Sequence, residues 1–137
     1  MNRLTRAAVL AAGLLLAAAC DESLTRPSDI EGQTWRLVSL TRTGTASINV
    51  ADPSRYTLRF ADGGHVNVRS DCNTCGGAYS LTGTSFSIGA LACTRAFCGD
   101  ASLDADYTRA LQTARSLARA GTELTIQCDG VVLRFQM

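Results

Sequence analysis

Lysine is absent from the 137 residues, so all 13 basic side chains are arginine, a bias that reads as genome composition and not as function. Histidine occurs once, at His65 beside the turn Ala61–Gly64. A solitary histidine with no nucleophile pattern around it excludes the usual acid–base triads. A Gly-rich phosphate loop leading into a helix is missing, as is a nucleophile elbow, and Asp71, Asp100, Asp104 and Asp106 follow neither a calcium loop nor a planned carboxylate pair. Helix capping accounts for most of those aspartates. The composition therefore points away from an enzyme and implies no cofactor and no metal. Charged residues are only 18% of the chain. Without residues 1–19 the remainder holds 11 basic and 12 acidic groups, a net charge of about −1 that gathers no nucleic acid. A long apolar run is also lacking. Ala7–Ala19, helical at about 1.5 Å per residue, spans roughly 20 Å and falls short of the ~30 Å of a bilayer core.

That run follows Arg3 and Arg6 and ends in small residues, the order of a secretory signal over residues 1–19. Ala17-Ala18-Ala19-Cys20 resembles a bacterial lipobox, in which Cys20 becomes the first mature residue and carries the lipid. The same alanines also fit an ordinary A-x-A cleavage site. The expected address is the cell envelope, lipid-anchored to the periplasmic face of the inner or outer membrane, with Asp21 and Glu22 resembling an inner-membrane retention signal. Residues 20–32, with Pro27, Ser28 and Gly32 among scattered charges, read as the lipidated end and a flexible tether.

One domain follows, over residues 33–137. Trp35, Leu37 and then Leu40, with a slip in phase, suggest a first strand. Tyr56, Leu58 and Phe60 alternate on one face, the turn Ala61–Gly64 reverses the chain, and Val66 and Val68 continue on the return. A second hairpin pairs Tyr79 with Ile88 and Leu81 with Phe86 around a four-residue loop. Leu103, Tyr107, Ala110, Leu111, Ala114, Leu117 and Ala118 recur at steps of three and four, which predicts an amphipathic helix over about 102–120. Ser102 or Asp100 would cap it, Arg109, Arg115 and Arg119 would form its solvated face, and Gly121 would stop it. Leu124 to Cys128 and Val131 to Phe135 close the chain as a hairpin around Asp129-Gly130. The expected class is α+β, an antiparallel sheet curled into a partial barrel with one helix packed on it and stapled by disulfides.

Cys72 and Cys75 precede the second hairpin, and Cys93 and Cys98 follow it. The proposed register brings Cys75 within one residue of Cys93 and Cys72 toward Cys98, a nested pairing. The crossed pairing, Cys72 with Cys93 and Cys75 with Cys98, is sterically open to the same register. The spacing also suits a zinc ribbon, but an oxidising compartment forms disulfides instead. Cys72-x-x-Cys75 lacks the strand-to-helix placement of a redox pair, and Gly76 stands where haem attachment requires histidine. Cys128 is left over as an inward-facing thiol or an intermolecular bridge.

Trp35-x-Leu37, Cys72-Asn73, Gly77-x-Tyr79 and Thr94-Arg-Ala-Phe-Cys98, followed by a helix and a closing apolar hairpin, together resemble the META domain of HslJ-like bacterial lipoproteins. The resemblance implies a curled antiparallel sheet with one helix, matches Cys72 to Cys98, and implies an envelope protein of stress tolerance without catalysis. Trp35, Asn73, Gly77, Tyr79 and Thr94 are its motif residues. Asp71 departs from it by standing where glycine is usual, Ala96 stands where methionine is frequent, and Cys75, Cys93 and Cys128 are additions. Two readings of function follow. One is a non-catalytic interaction or stress-tolerance module facing an envelope protein. The other is a carrier of a small apolar ligand or lipid chain in a pocket lined by Trp35, Tyr56, Phe60, Tyr79 and Phe86. A third, inhibition of envelope proteases, rests on the disulfide-framed loop Thr94 to Gly99.

Overall fold

Alternating burial decides the architecture, because most strands present one apolar face that only a curved sheet can enclose. The structure, a computed structural model, describes residues 24–137. The candidate signal segment and Cys20 lie outside the described residues. In chain order the elements are α1 (Pro27–Ile30), β1 (Thr34–Arg42), β2 (Ile48–Asn49), a 3-10 turn (Pro53–Arg55), β3 (Tyr56–Ala61), β4 (His65–Ser70), β5 (Asn73–Thr82), β6 (Ser85–Ile88), β7 (Ala92–Cys93), α2 (Asp104–Gln112), β8 (Ala114–Ala120), β9 (Glu123–Cys128) and β10 (Val131–Gln136). Eight of the strands run β1-β3-β4-β5-β6-β8-β9-β10, and β10 pairs back on β1. The antiparallel sheet thus curls through to closure as an eight-stranded barrel, with β2 paired on β1 and β7 on β5. The seam between β6 and β8 is narrow, a single paired position at Ser85 and Ser116 with Leu117 N donating to Thr84 O.

Several strand readings survive in detail. The slip in phase after Leu37 is a bulge of β1 against β10, between Leu37 and Ser39, and it returns Leu40 to the interior. Tyr79 pairs with Ile88 and Leu81 with Phe86, while an added pair, Thr82 with Ser85, shortens the loop to Gly83-Thr84. Gly83 adopts a left-handed φ of 61°, which glycine alone enters without cost.

The helix is shorter than its sequence period. It spans Asp104–Gln112, and the segment Ala114–Ala120 is instead strand β8. A register shift between Ala114 and Ser116 inserts an extra residue, so Ala114 and Leu117 are both buried three positions apart, as they would be on a helix. Alanine, arginine and leucine favour helix locally, but pairing with β9 closes the barrel and overrides that preference. Arg115 and Arg119 therefore belong to β8, away from the helix face expected for them, and only Arg109 stays on α2. Gly121 turns the β8–β9 hairpin, with φ of 60°. At the helix start Ser102 does contribute, accepting from Asp104 N at 3.1 Å.

The tether reading fails over the described part of 20–32. Ile30 is fully buried and Thr25 nearly so. Trp35 Nε1 donates to Ile30 O at 3.1 Å, Gly32 N donates to Phe60 O at 3.0 Å, and Tyr79 OH donates to Glu31 Oε1 at 2.8 Å. Arg119 lies over the Trp35 ring, 5.6 Å from its centroid, and its guanidinium donates to Asp29 O. This segment seals the barrel at the end of β3, while α2 covers the start of β3, where the rings of Tyr56 and Tyr107 meet edge to face at 5.9 Å. Between the two seals Trp35, Leu37, Leu58, Phe60, Phe86, Tyr107, Leu117 and Phe135 are almost wholly buried. Each such side chain contributes about 1.5–3 kcal/mol by leaving water.

Candidate functional site

The polar residues that the sequence singles out converge below the segment from β7 to α2. Cys75 pairs directly with Cys93 across β5 and β7, and the two are disulfide-bonded with Cα atoms 4.1 Å apart. Cys72 is bonded to Cys98, Cα to Cα 5.5 Å, so the nested pairing is the one present. The intervening segment Thr94–Cys98 is held at both ends and also from beneath. Asn73, buried at the first position of β5, accepts at Oδ1 from Ala96 N at 2.8 Å and from Thr94 Oγ1 at 3.0 Å. Its Nδ2 donates to Ala96 O at 3.0 Å and to Asp104 Oδ2 at 3.1 Å, which ties the segment to the first turn of α2. Thr94 completes the clasp by accepting from Thr74 N at 3.0 Å. Asn73 and Thr94 are thus scaffolding, and what they support is a rigid loop whose Phe97 is 82% exposed.

Beside this clasp lies a second buried polar group that the sequence reading treated as a helix cap. Asp71 has a left-handed φ of 59°, a backbone state natural to the glycine that the META resemblance expects there. Its carboxylate accepts from Tyr56 OH at 3.1 Å and pairs with the Arg55 guanidinium. Tyr56 OH in turn accepts from Leu103 N at 2.9 Å. Burial alone would raise the Asp71 pKa, but hydrogen bonds from Ser102 and Tyr56 and the charge of Arg55 outweigh it and hold the carboxyl below its ordinary value. Of the other aspartates, Asp106 pairs with Arg42 and Asp104 serves Asn73.

The remaining motif residues fasten the fold. A Cβ at Gly77 would sit 3.0 Å from Ala90 O and 3.1 Å from Leu91 Cδ2, so only glycine lets the chain after β6 lie this close. Trp35 and Tyr79 hold the N-terminal seal through Ile30 and Glu31, and burial together with Glu31 pushes the Tyr79 phenol up to about 12. Cys128, unpaired among the described residues, is half-buried; burial and then Asp129 push its thiol up to about 12, which leaves little thiolate for nucleophilic chemistry at neutral pH. His65 is exposed on the barrel's outer face. The aromatic side chains that would line a carrier's pocket fill the interior: Trp35, Phe60 and Phe86 are almost wholly buried, and Phe60 packs edge to face on both Phe86 and Tyr79. Sequence reasoning missed Asp71, Glu31 and Phe97, since none stands in a periodic pattern.

Solved structures share this architecture. A protein from Burkholderia xenovorans, determined by NMR, superposes with a TM-score of 0.65 at 19% identity, over 99% of this chain and 97% of that one. A DUF4847 family protein from Bacteroides vulgatus, determined by crystallography, gives a TM-score of 0.59 at 14% identity over 80% of this chain and 95% of that one. At such identities the likeness concerns the fold alone. No curated protein matches the chain. The META domain family model matches residues 28–137, beginning within the N-terminal seal and running through the barrel, the clasp and the closing hairpin, and the chain therefore belongs to the META domain family.

Proposed function

We propose that the protein is a non-catalytic interaction module of the cell envelope, anchored through a lipid on Cys20 and serving stress tolerance by contact with another envelope protein. One observation carries the reading. Two disulfides and a buried asparagine are spent on holding a short loop rigid, and that loop presents an exposed phenylalanine instead of covering it. Preorganisation of this kind lowers the entropy cost of association, and an aromatic anchor is a common centre of binding energy. A filled barrel interior gives the carrier reading no support. The loop also suits the inhibitor reading, which a panel of envelope proteases with unslowed turnover would remove.

The test is made in the native host. Intact mass and peptide mapping of protein purified from membranes should show diacylglycerol on Cys20, and an unmodified Cys20 would refute the anchor. A photo-crosslinking residue at position 97 should capture one defined protein that the same residue at position 134, on β10, does not. Identical crosslinks from both positions would refute the loop as the contact.

A further inference from the structure

Charge that is balanced along the sequence is segregated on the barrel. Arg42, Arg55 and Arg115 each have an acidic partner, in Asp106, Asp71 and Asp129. Arg59, Arg69 and Arg95 form no ion pair with any described carboxylate, and the three border one groove. The groove crosses the outside of the sheet from Thr34 on β1, over β3, β4 and β5, to the segment Leu91–Arg95 that walls its far side. Among the described residues no aspartate or glutamate lines it.

Register places the arginines together. Arg59 on β3 lies opposite Asn67 of β4, and Thr57 lies opposite Arg69. Arg59 and Arg69 are therefore diagonal neighbours on one face, with Cβ atoms about 7–8 Å apart, within reach of a common anion. Thr57, Asn67 and Thr74 stand between and beside them, with hydroxyl and amide donors directed outward, since their strand neighbours Leu58, Val66 and Val68 are the buried ones. Arg95 arrives from the far wall on a loop already fixed by Cys93 and Cys98. Like charges at neighbouring sheet positions are destabilising, and nothing described in the protein neutralises these.

We propose that this groove is a binding site for a ligand carrying two or more phosphate groups, with Arg59 and Arg69 forking onto one phosphate and Arg95 onto another. Guanidinium groups suit phosphate through paired N–H donors, and the intervening hydroxyls and amide supply donors for the further oxygens that phosphate has and carboxylate lacks. The site does not depend on the Cys20 anchor or on a partner at Phe97. The phosphates belong either to a soluble oligophosphate or to lipid headgroups at the membrane.

Calorimetry of the oxidised mature chain, residues 20–137 without lipid, with sodium tripolyphosphate at low salt tests the proposal. Saturable binding is expected, weakening as salt rises and falling at least tenfold in the double variant Arg59→Gln/Arg69→Gln. Both positions face solvent, so the variant should fold and melt no lower than the parent. Arg115→Gln, outside the groove, should bind as the parent does. Absence of saturable binding up to millimolar ligand, or equal binding by the double variant, overturns the site. Co-sedimentation with phosphatidylglycerol/phosphatidylcholine vesicles, displaced by tripolyphosphate, assigns the phosphates to headgroups. Tripolyphosphate binding without vesicle retention assigns them to a soluble ligand.

Discussion

Replacing Asn73 with alanine should be the most informative single change in the polar clasp. The side chain makes four hydrogen bonds of 2.8–3.1 Å, to Ala96 N, Ala96 O, Thr94 Oγ1 and Asp104 Oδ2. At about 0.5–1.5 kcal/mol net for each, their sum would lie near 4 kcal/mol. Two features reduce it. Ala96 is exposed, so water can replace its lost partners, and Cys93 and Cys98 still tether the loop after the bonds are gone. A loss of about 2 kcal/mol is therefore expected. In urea, with a slope of about 2 kcal/mol per M, the midpoint should fall by about 1 M at unchanged slope. Hydrogen exchange supplies the second readout. The Ala96 amide should lose its protection while amides of the paired positions in β3 and β4 keep theirs. A midpoint shift under about 0.2 M, or an Ala96 amide that exchanges as slowly as before, would refute the claim that Asn73 holds the loop.

The N-terminal seal predicts that Ile30→Ala costs about 2–5 kcal/mol in chemical denaturation, whereas a residue in a flexible tether would cost nothing measurable. Asp71 gives a pH dependence. Its folded pKa lies below the ordinary 3.8, so its stabilisation is complete above the unfolded value and is lost as pH falls through 3.8 toward the folded value; Asp71→Asn should flatten stability against pH in that acid window, and an unchanged profile would count against the buried ion pair. Removing Cys75 and Cys93 together, which opens a closure of 18 residues, should cost about 3 kcal/mol by the chain-entropy model, and thermal melting of the double alanine variant checks it. Gly77→Ala should destabilise despite its small size, because the added methyl meets Ala90 O at 3.0 Å; a variant as stable as the parent would show that the chain after β6 moves freely.

Much of this molecule is local information. The hairpins at Tyr56–Val68 and Tyr79–Ile88 were legible because side chains alternate with period two and glycine-bearing turns separate the runs, and the second hairpin's register placed the cysteines near their partners. Even the bulge in β1 left a mark, as a slip in apolar phase before Leu40. The motif residues Asn73, Gly77, Tyr79 and Thr94 were legible as a set, while their individual roles were not.

The sequence by itself determined the strands, the closing hairpin, the start of the helix and the family, since each depends on neighbours within a few residues or on a pattern of residue types. Tertiary structure alone decided where the helix stopped, because a bulged strand in β8 buries the same positions as a helix and only the partner β9 distinguishes them. It also decided that the stretch around Ile30 belongs to the domain, since one apolar residue among charges acquires meaning only when the end of a barrel is there to receive it. And it decided the electrostatics: a net charge near zero sums over the chain, whereas the field a ligand meets depends on which arginines the fold leaves beside one another without a carboxylate.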